Sequence, residues 1–159
     1  MTLEEVKQKW VGMKGDVTVN EVDKSSIKRH VEAVGDHNPL FQDEEHAQSA
    51  GHPGLVAPPA FFGRDARAHN EFPKIMMDLL MDMMGAGYPG ILDGGVEYDF
   101  YRIVHAGDTL SSAARVEGIT EKTTKAGKAM LFVAVVCDFI NQRGQLVATQ
   151  KTNLICLAL

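Results

Sequence analysis

The chain has 159 residues, a net charge of −5 and 45% hydrophobic residues, a size and polarity that fit one globular domain, expected to span residues 1–159. No basic run is present, which argues against a nucleic-acid footprint, and no apolar stretch approaches the length that crosses a bilayer. The two cysteines, Cys137 and Cys156, sit in apolar strand-like segments, and the N-terminal stretch lacks a signal-peptide core. Free thiols in the cytoplasm are therefore expected in place of a disulfide framework.

In chain order, Leu3, Val6 and Trp10 fall at helical spacing and predict a short amphipathic helix. GDVTVNEVD, from Gly15 to Asp23, alternates and predicts a first strand. Ser25 or Ser26 is placed to cap a helix running to about Val34. GDHNP follows, and Pro39 biases Asn38 away from helix, so a rigid loop displaying Asp36 is expected. Asp43 then caps a short helix, EEHAQSA, ended by Gly51, and HPG makes a turn. After LVAPPAFF, Pro59 suits the first position of a helix running on through Arg64. Five of the eight methionines lie between Met76 and Met84, where Ile75, Met76, Leu79, Leu80, Met83 and Met84 give a helix with a broad apolar face, closed by Gly85 and Gly87.

From Gly94 onward the pattern is β. VEYDFYRIV alternates, HAGD turns, and TLSSAARVEGIT forms the next strand. KAMLFVAVVCDFI is an unbroken apolar run suited to a central strand, NQRGQ is a hairpin turn around Gly144, and LVATQKTNLICLAL closes the sheet. This predicts an α+β protein of about five strands with a helix between the first and second.

The candidate chemistry is sparse. Asp36 reads either as a general base or as the cap of its own turn, and Asn38 as a turn device with a supporting role. His37, His46 and His52 lie near Asp36 in sequence, but no set of His, Cys or carboxylates has metal-ligand spacing, so no metal is assigned. Nucleotide loops, serine elbows and Cys–His constellations are absent. The methionine-rich helix reads either as ordinary core or interface, or as an adaptable wall, formed by Met76 and Leu80, around a flexible acyl chain. Arg64, Arg67 and Arg102 read as solvated arginines or as partners for phosphates.

The order GDHNPL, short helix, glycine turn and APP before a helix, together with GGVEYDFYRIVHAGDTL and LVATQKTNLI, resembles the MaoC-like hydratases and dehydratases. The resemblance is to their N-terminal type and to the dehydratase region of fungal-type fatty acid synthases, over roughly residues 15 to 158. It implies the hot-dog fold, a curved antiparallel sheet of about five strands wrapped around a central helix, and the addition of water to 2-enoyl thioesters or its removal from 3-hydroxyacyl thioesters. Two departures stand out. Phe41 occupies the position of the family's histidine, and a phenyl ring moves no proton. Pro58 and Pro59 occupy the AHG histidine and glycine, where proline has no N–H to polarise a thioester carbonyl. Loss of an oxyanion donor costs about a hundred- to a thousand-fold in rate, and loss of a general acid or base roughly a hundred- to ten-thousand-fold.

The resemblance therefore implies the acyl-thioester-binding half of an (R)-specific 2-enoyl-CoA hydratase or 3-hydroxyacyl thioester dehydratase, lacking the catalytic histidine. Phe41, Pro59, Phe61 and Phe62 are expected to join Met76 and Leu80 around the acyl group. No cofactor is implied beyond the coenzyme A or acyl carrier protein that carries the substrate. The expected assembly is a homodimer, or a heterodimer with a catalytic MaoC-like subunit. Two other readings stay open: a self-sufficient homodimeric hydratase using Asp36, and a hot-dog thioesterase or acyl-CoA-binding protein.

Overall fold

A computed structural model describes residues 1–59, 61–62, 74–123 and 127–158. Helix α1, Leu3–Trp10, starts at a capping box: Thr2 Oγ1 accepts the Glu5 N–H at 3.3 Å, and a Glu5 carboxylate oxygen accepts the Thr2 N–H at 2.7 Å. Strand β1 is Thr18–Glu21, shorter than the predicted Gly15–Asp23. The shortening begins at Gly15, where an added Cβ would lie 2.8 Å from the Ile75 side chain. There the chain passes tightly under a helix, and its pairing is reduced to local contacts: the Gly15 N–H donates to the Ala114 carbonyl at 2.8 Å and Lys14 makes an isolated bridge with Arg115.

Helix α2 is Lys24–Val34, and its cap is Asp23, not Ser25 or Ser26. The Asp23 carboxylate accepts the Ser26 N–H at 2.9 Å and the Ser25 hydroxyl at 2.5 Å, using both serines as donors. The NP turn continues into a short helix α3, Pro39–Gln42, which the loop reading of GDHNP did not include. Proline at the first helical position is compatible with both, since it forbids helix only to the residue before it. Helix α4, Glu44–Ser49, is capped by Asp43 as expected, with Gly51 at positive φ beyond it. The predicted helix from Pro59 through Arg64 falls largely on residues outside those described; Pro59 itself stands in a turn in which the Phe61 N–H donates to the Pro58 carbonyl. Helix α5 is Lys74–Gly85.

The remaining strands are β2 Gly90–Phe100, β3 Thr109–Thr123, β4 Ala129–Asn141 and β5 Leu146–Leu157. They form one antiparallel sheet in the order β1-β3-β4-β5-β2, with the apolar run β4 at its centre as its composition predicted. Register shifts at Asp93/Val96, Val116/Gly118 and Phe139/Ile140 mark bulges, which bend strands and increase twist. At Gly94 an added Cβ would lie 2.8 Å from the Asn153 carbonyl oxygen, so this bulge needs glycine.

One inner face of the sheet serves two apolar clusters. Leu131, Val133 and Val135 of β4 meet Val6 and Trp10 of α1 and Ile75, Met76, Leu79 and Met83 of α5. Farther along the same face, Phe139 meets Ile27 and Val31 of α2, Phe41 of α3, and Phe61 and Phe62. The outer face carries ion pairs, Arg115 with Asp138 and Lys151 with Glu117, at 2.9 Å each. Both pairs are partly exposed and contribute little to stability.

Leu79 has no exposed surface whereas Met81, two residues on, is 60% exposed. Leu79→Ala is expected to cost about 2–5 kcal/mol and Met81→Ala within about 0.5 kcal/mol, measured by chemical denaturation. The hydroxyls and N–H around Asp23 lower its carboxyl from the ordinary 3.8 to about 2. Its contribution to stability is therefore complete above pH 3.8 and is lost as pH falls towards 2. Asp23→Ala is expected to flatten the stability profile in that window, read by denaturation at a series of pH values.

Candidate functional site

The Asp36 loop is built by the end of α2. Gly35 adopts the left-handed conformation at φ 70°, and the Asp36 N–H returns to the Val31 carbonyl at 3.0 Å, closing the helix. Asp36 is half-buried, and its carboxylate accepts the Asn38 N–H at 2.9 Å, while its carbonyl accepts the Gln42 side-chain amide at 2.6 Å. Exposed Asn38 in turn caps α3 by accepting the Leu40 N–H at 3.0 Å. Both polar candidates thus hold the turn that directs Phe41 inward. Phe41 is 7% exposed and forms part of a cavity wall on which neither Asp36 nor Asn38 lies.

That cavity encloses about 420 Å³. One side is the segment 56–59 with Phe61 and Phe62; the other is the segment 100–104 that follows β2. Short backbone bonds tie the two sides together: the Ala57 N–H donates to the Val104 carbonyl at 2.8 Å and the Ala106 N–H to the Leu55 carbonyl at 2.9 Å. The Val56 N–H donates to Leu40, which links this wall to α3. Phe62 stacks on Phe139 of β4 with centroids 4.0 Å apart and stands 6.4 Å from Phe100 at the open side. Phe100, Tyr101 and Ile103 are each at least half exposed, so the rim is as apolar as the floor.

The sequence-derived acyl set divides in space. Phe41, Pro59, Phe61 and Phe62 all line the cavity. Met76 and Leu80 do not; α5 turns them into the second cluster, with Val6 and Trp10. The broad apolar face of α5 was legible, but helical periodicity does not say which cluster a face meets. Among the described residues Arg102 is the one cationic side chain on the cavity wall, and it is exposed at the mouth. Arg64 and Arg67 lie outside the described residues.

Chemically, the cavity can enclose an apolar chain or ring and exclude water around it. Pro58 and Pro59 present no N–H to it. Of the histidines near Asp36 in sequence, His37 and His46 are exposed. His52 pairs with His105, which the sequence reading did not single out, its Nδ1 3.2 Å from His105 Nε2. Burial pushes the His105 pKa down, Asp108 nearby opposes that shift, and His52 adds to it. Only the tertiary fold brings these two rings together, since 53 residues separate them. Burial also raises the thiol of Cys156, while Cys137 is only half-buried. Among the described residues no three His, Cys, Asp or Glu side chains gather to hold a metal, and no helix is long and apolar enough to cross a membrane.

The model of the FAS1-like, dehydratase domain region family matches residues 9–150. The chain is 32% identical over 162 residues to a probable enoyl-CoA hydratase alpha subunit of Thermomonospora curvata, covering 93% of this chain and 50% of that protein. It therefore spans about half the length of that relative. Among solved structures, the ChsH1–ChsH2 complex from Mycobacterium tuberculosis superposes with a TM-score of 0.76 at 24% identity, covering 98% of this chain and 93% of that one. A MaoC-like dehydratase superposes with a TM-score of 0.69 at 24% identity, covering 93% of this chain and 42% of that one. With that family match and the curved five-stranded sheet, the chain belongs to the FAS1-like dehydratase-region family and has the hot-dog fold of MaoC-like dehydratases.

Proposed function

We propose that this protein is the acyl-thioester-binding component of an (R)-specific 2-enoyl-CoA hydratase or 3-hydroxyacyl thioester dehydratase, acting with a separate catalytic MaoC-like subunit. The observation that carries the reading is the location of the two departures from the catalytic pattern. Phe41, at the histidine position, and Pro58 and Pro59, at the helix-start positions, line one and the same apolar cavity. Replacing a proton carrier and an N–H donor by apolar groups turns the place of reaction into a place of burial. Asp36, occupied in capping its turn, lacks the histidine with which the family's carboxylate works.

The binding energy of such a site comes from apolar surface removed from water, about 25 cal/mol per Å². An acyl chain between Phe61, Phe62 and Phe41 would gain in this way without any directional polar contact. Arg102 at the mouth supplies a positive charge on the side from which a phosphate-bearing carrier would approach.

A partner is supported by the free edge of β2. Among the described strands it pairs only with β5, and its exposed residues include Leu92, Val96 and Phe100, continuing into Tyr101 and Ile103 at the cavity rim. An edge of this length and polarity favours pairing with another sheet. A catalytic subunit docked there would bring its reacting groups alongside the rim. The double-length relative supports the same arrangement, having room for a second unit in one chain.

The experiment is incubation of the purified chain with crotonyl-CoA and longer trans-2-enoyl-CoAs, following the conjugated enoyl absorbance, with calorimetric titration of octanoyl-CoA alongside. Binding without hydration is expected. Phe41→Trp, which overfills the cavity, is expected to weaken octanoyl-CoA by about tenfold or more, a cost typical of overpacking. Hydration by the chain alone, abolished in Asp36→Ala, would overturn the reading in favour of a self-sufficient enzyme.

A further inference from the structure

We infer that the His52–His105 contact is an acid-sensitive latch that holds the two sides of the cavity wall in register and releases them when both rings become charged. Its consequence for ligand binding rests on reading the cavity as an acyl site; the latch itself does not.

The wall is held by a ladder only three residues long on each strand. Ala57 N–H to Val104 carbonyl and Ala106 N–H to Leu55 carbonyl flank an isolated bridge between Val56 and His105. Val56, Ala57 and Val104 line the cavity. His105 alternates with Val104 and, with His52, lies outside that lining. There, His52 Nδ1 and His105 Nε2 stand 3.2 Å apart, one donating and the other accepting. The neighbouring positions are fixed independently: the His52 N–H donates to the Ala47 carbonyl of α4, and the His105 N–H to the Asp108 carboxylate at 2.9 Å. Each ring is therefore anchored through its own backbone, His52 to α4 and His105 to the turn before β3, and the ring contact clips the two segments together.

The contact needs one ring nitrogen without a proton. It survives the first added proton, shared between the rings, and fails at the second, which leaves two like charges facing each other. Among the described residues, charged groups stand on both sides of the pair. Asp108 lies on the His105 side, where its second oxygen accepts the Gln142 amide at 2.8 Å. Glu44 of α4 lies towards Gly54 and is ion-paired with Lys24 of α2 at 2.7 Å. Asp108 favours a charged His105, but burial and His52 oppose it and prevail, so the folded value lies below the ordinary 6.5. The sign follows: the closed ladder is fully stabilised above pH 6.5 and loses that contribution as pH falls from there to the lowered value.

The test is amide hydrogen exchange of the full chain, read by NMR and corrected for intrinsic rates, from about pH 7.5 to about pH 5, a range that spans histidine titration. Protection of the Ala57 and Ala106 amides is expected to fall several-fold across that range, in the direction set by the lowered His105 value. The Asn141 amide, bonded to the Gln145 carbonyl in the β4–β5 hairpin, serves as the reference and is expected to hold constant. His52→Gln and His105→Gln each supply an amide that bonds without titrating, so the fall is expected to disappear in either. A flat profile in the unaltered chain, or an undiminished fall in whichever variants fold, overturns the latch. Octanoyl-CoA titrated over the same range is expected to weaken in step with the lost protection. If protection falls as expected while octanoyl-CoA binds at no pH, the latch stands and the acyl-site reading fails.

Discussion

The inner face of β4 is the constraint on which the rest of the molecule depends. Its odd-numbered residues from Leu131 to Phe139 point to one side of the sheet, and all but Cys137 are buried. Because the strand is longer than any one helix can cover, two groups of elements share that face. Helices α1 and α5 cover Leu131, Val133 and Val135 with dense aliphatic and methionine packing. The other end is covered by α2, α3 and the segment 55–62, whose large aromatic residues fill space less completely and leave the cavity beside Phe62. Close packing at one end thus supports an enclosure at the other, on a single continuous sheet.

That division gives the polar residues of the Asp36 loop a definite physical role. The carboxylate of Asp36 and the amide of Asn38 satisfy backbone N–H groups that the sharp path from α2 into α3 would otherwise leave unbonded. With those groups satisfied, the short helix α3 can turn Phe41 into the aromatic cluster and offer the Leu40 carbonyl to Val56. The loop thereby positions an apolar wall.

Strand β2 shows the opposite balance. Nearly all of its residues are exposed, including apolar ones, although it is eleven residues long and its register with β5 continues to Phe100. Such a strand is held from its other edge, which pairs with β5 on both sides of the bulge. The Gly94–Gly95 bulge bends it where it approaches Asn153 most closely. The two-faced exposure of β2 and the apolar cavity rim belong to one surface.

Much of this was legible in the sequence. Alternation and apolar runs marked the strands, β4 as the central one, because burial on one or both faces writes a period directly into residue order. Capping residues marked α4, and the GDHNPL and APP segments together marked the family and the residues Phe41, Pro59, Phe61 and Phe62 that meet at the cavity. Local chemistry pointed to Ser25 or Ser26 as the cap of α2, whereas the carboxylate of Asp23 takes that place and both serines donate to it. Nor did local chemistry separate Met76 and Leu80 from the cavity, because a helical stripe specifies a face and not its neighbour. The pairing of His52 with His105 and the joining of segment 56–59 to segment 100–104 were decided only by the tertiary structure. Those contacts link residues some fifty positions apart, and only the antiparallel sheet returns such distant stretches of chain to the same place.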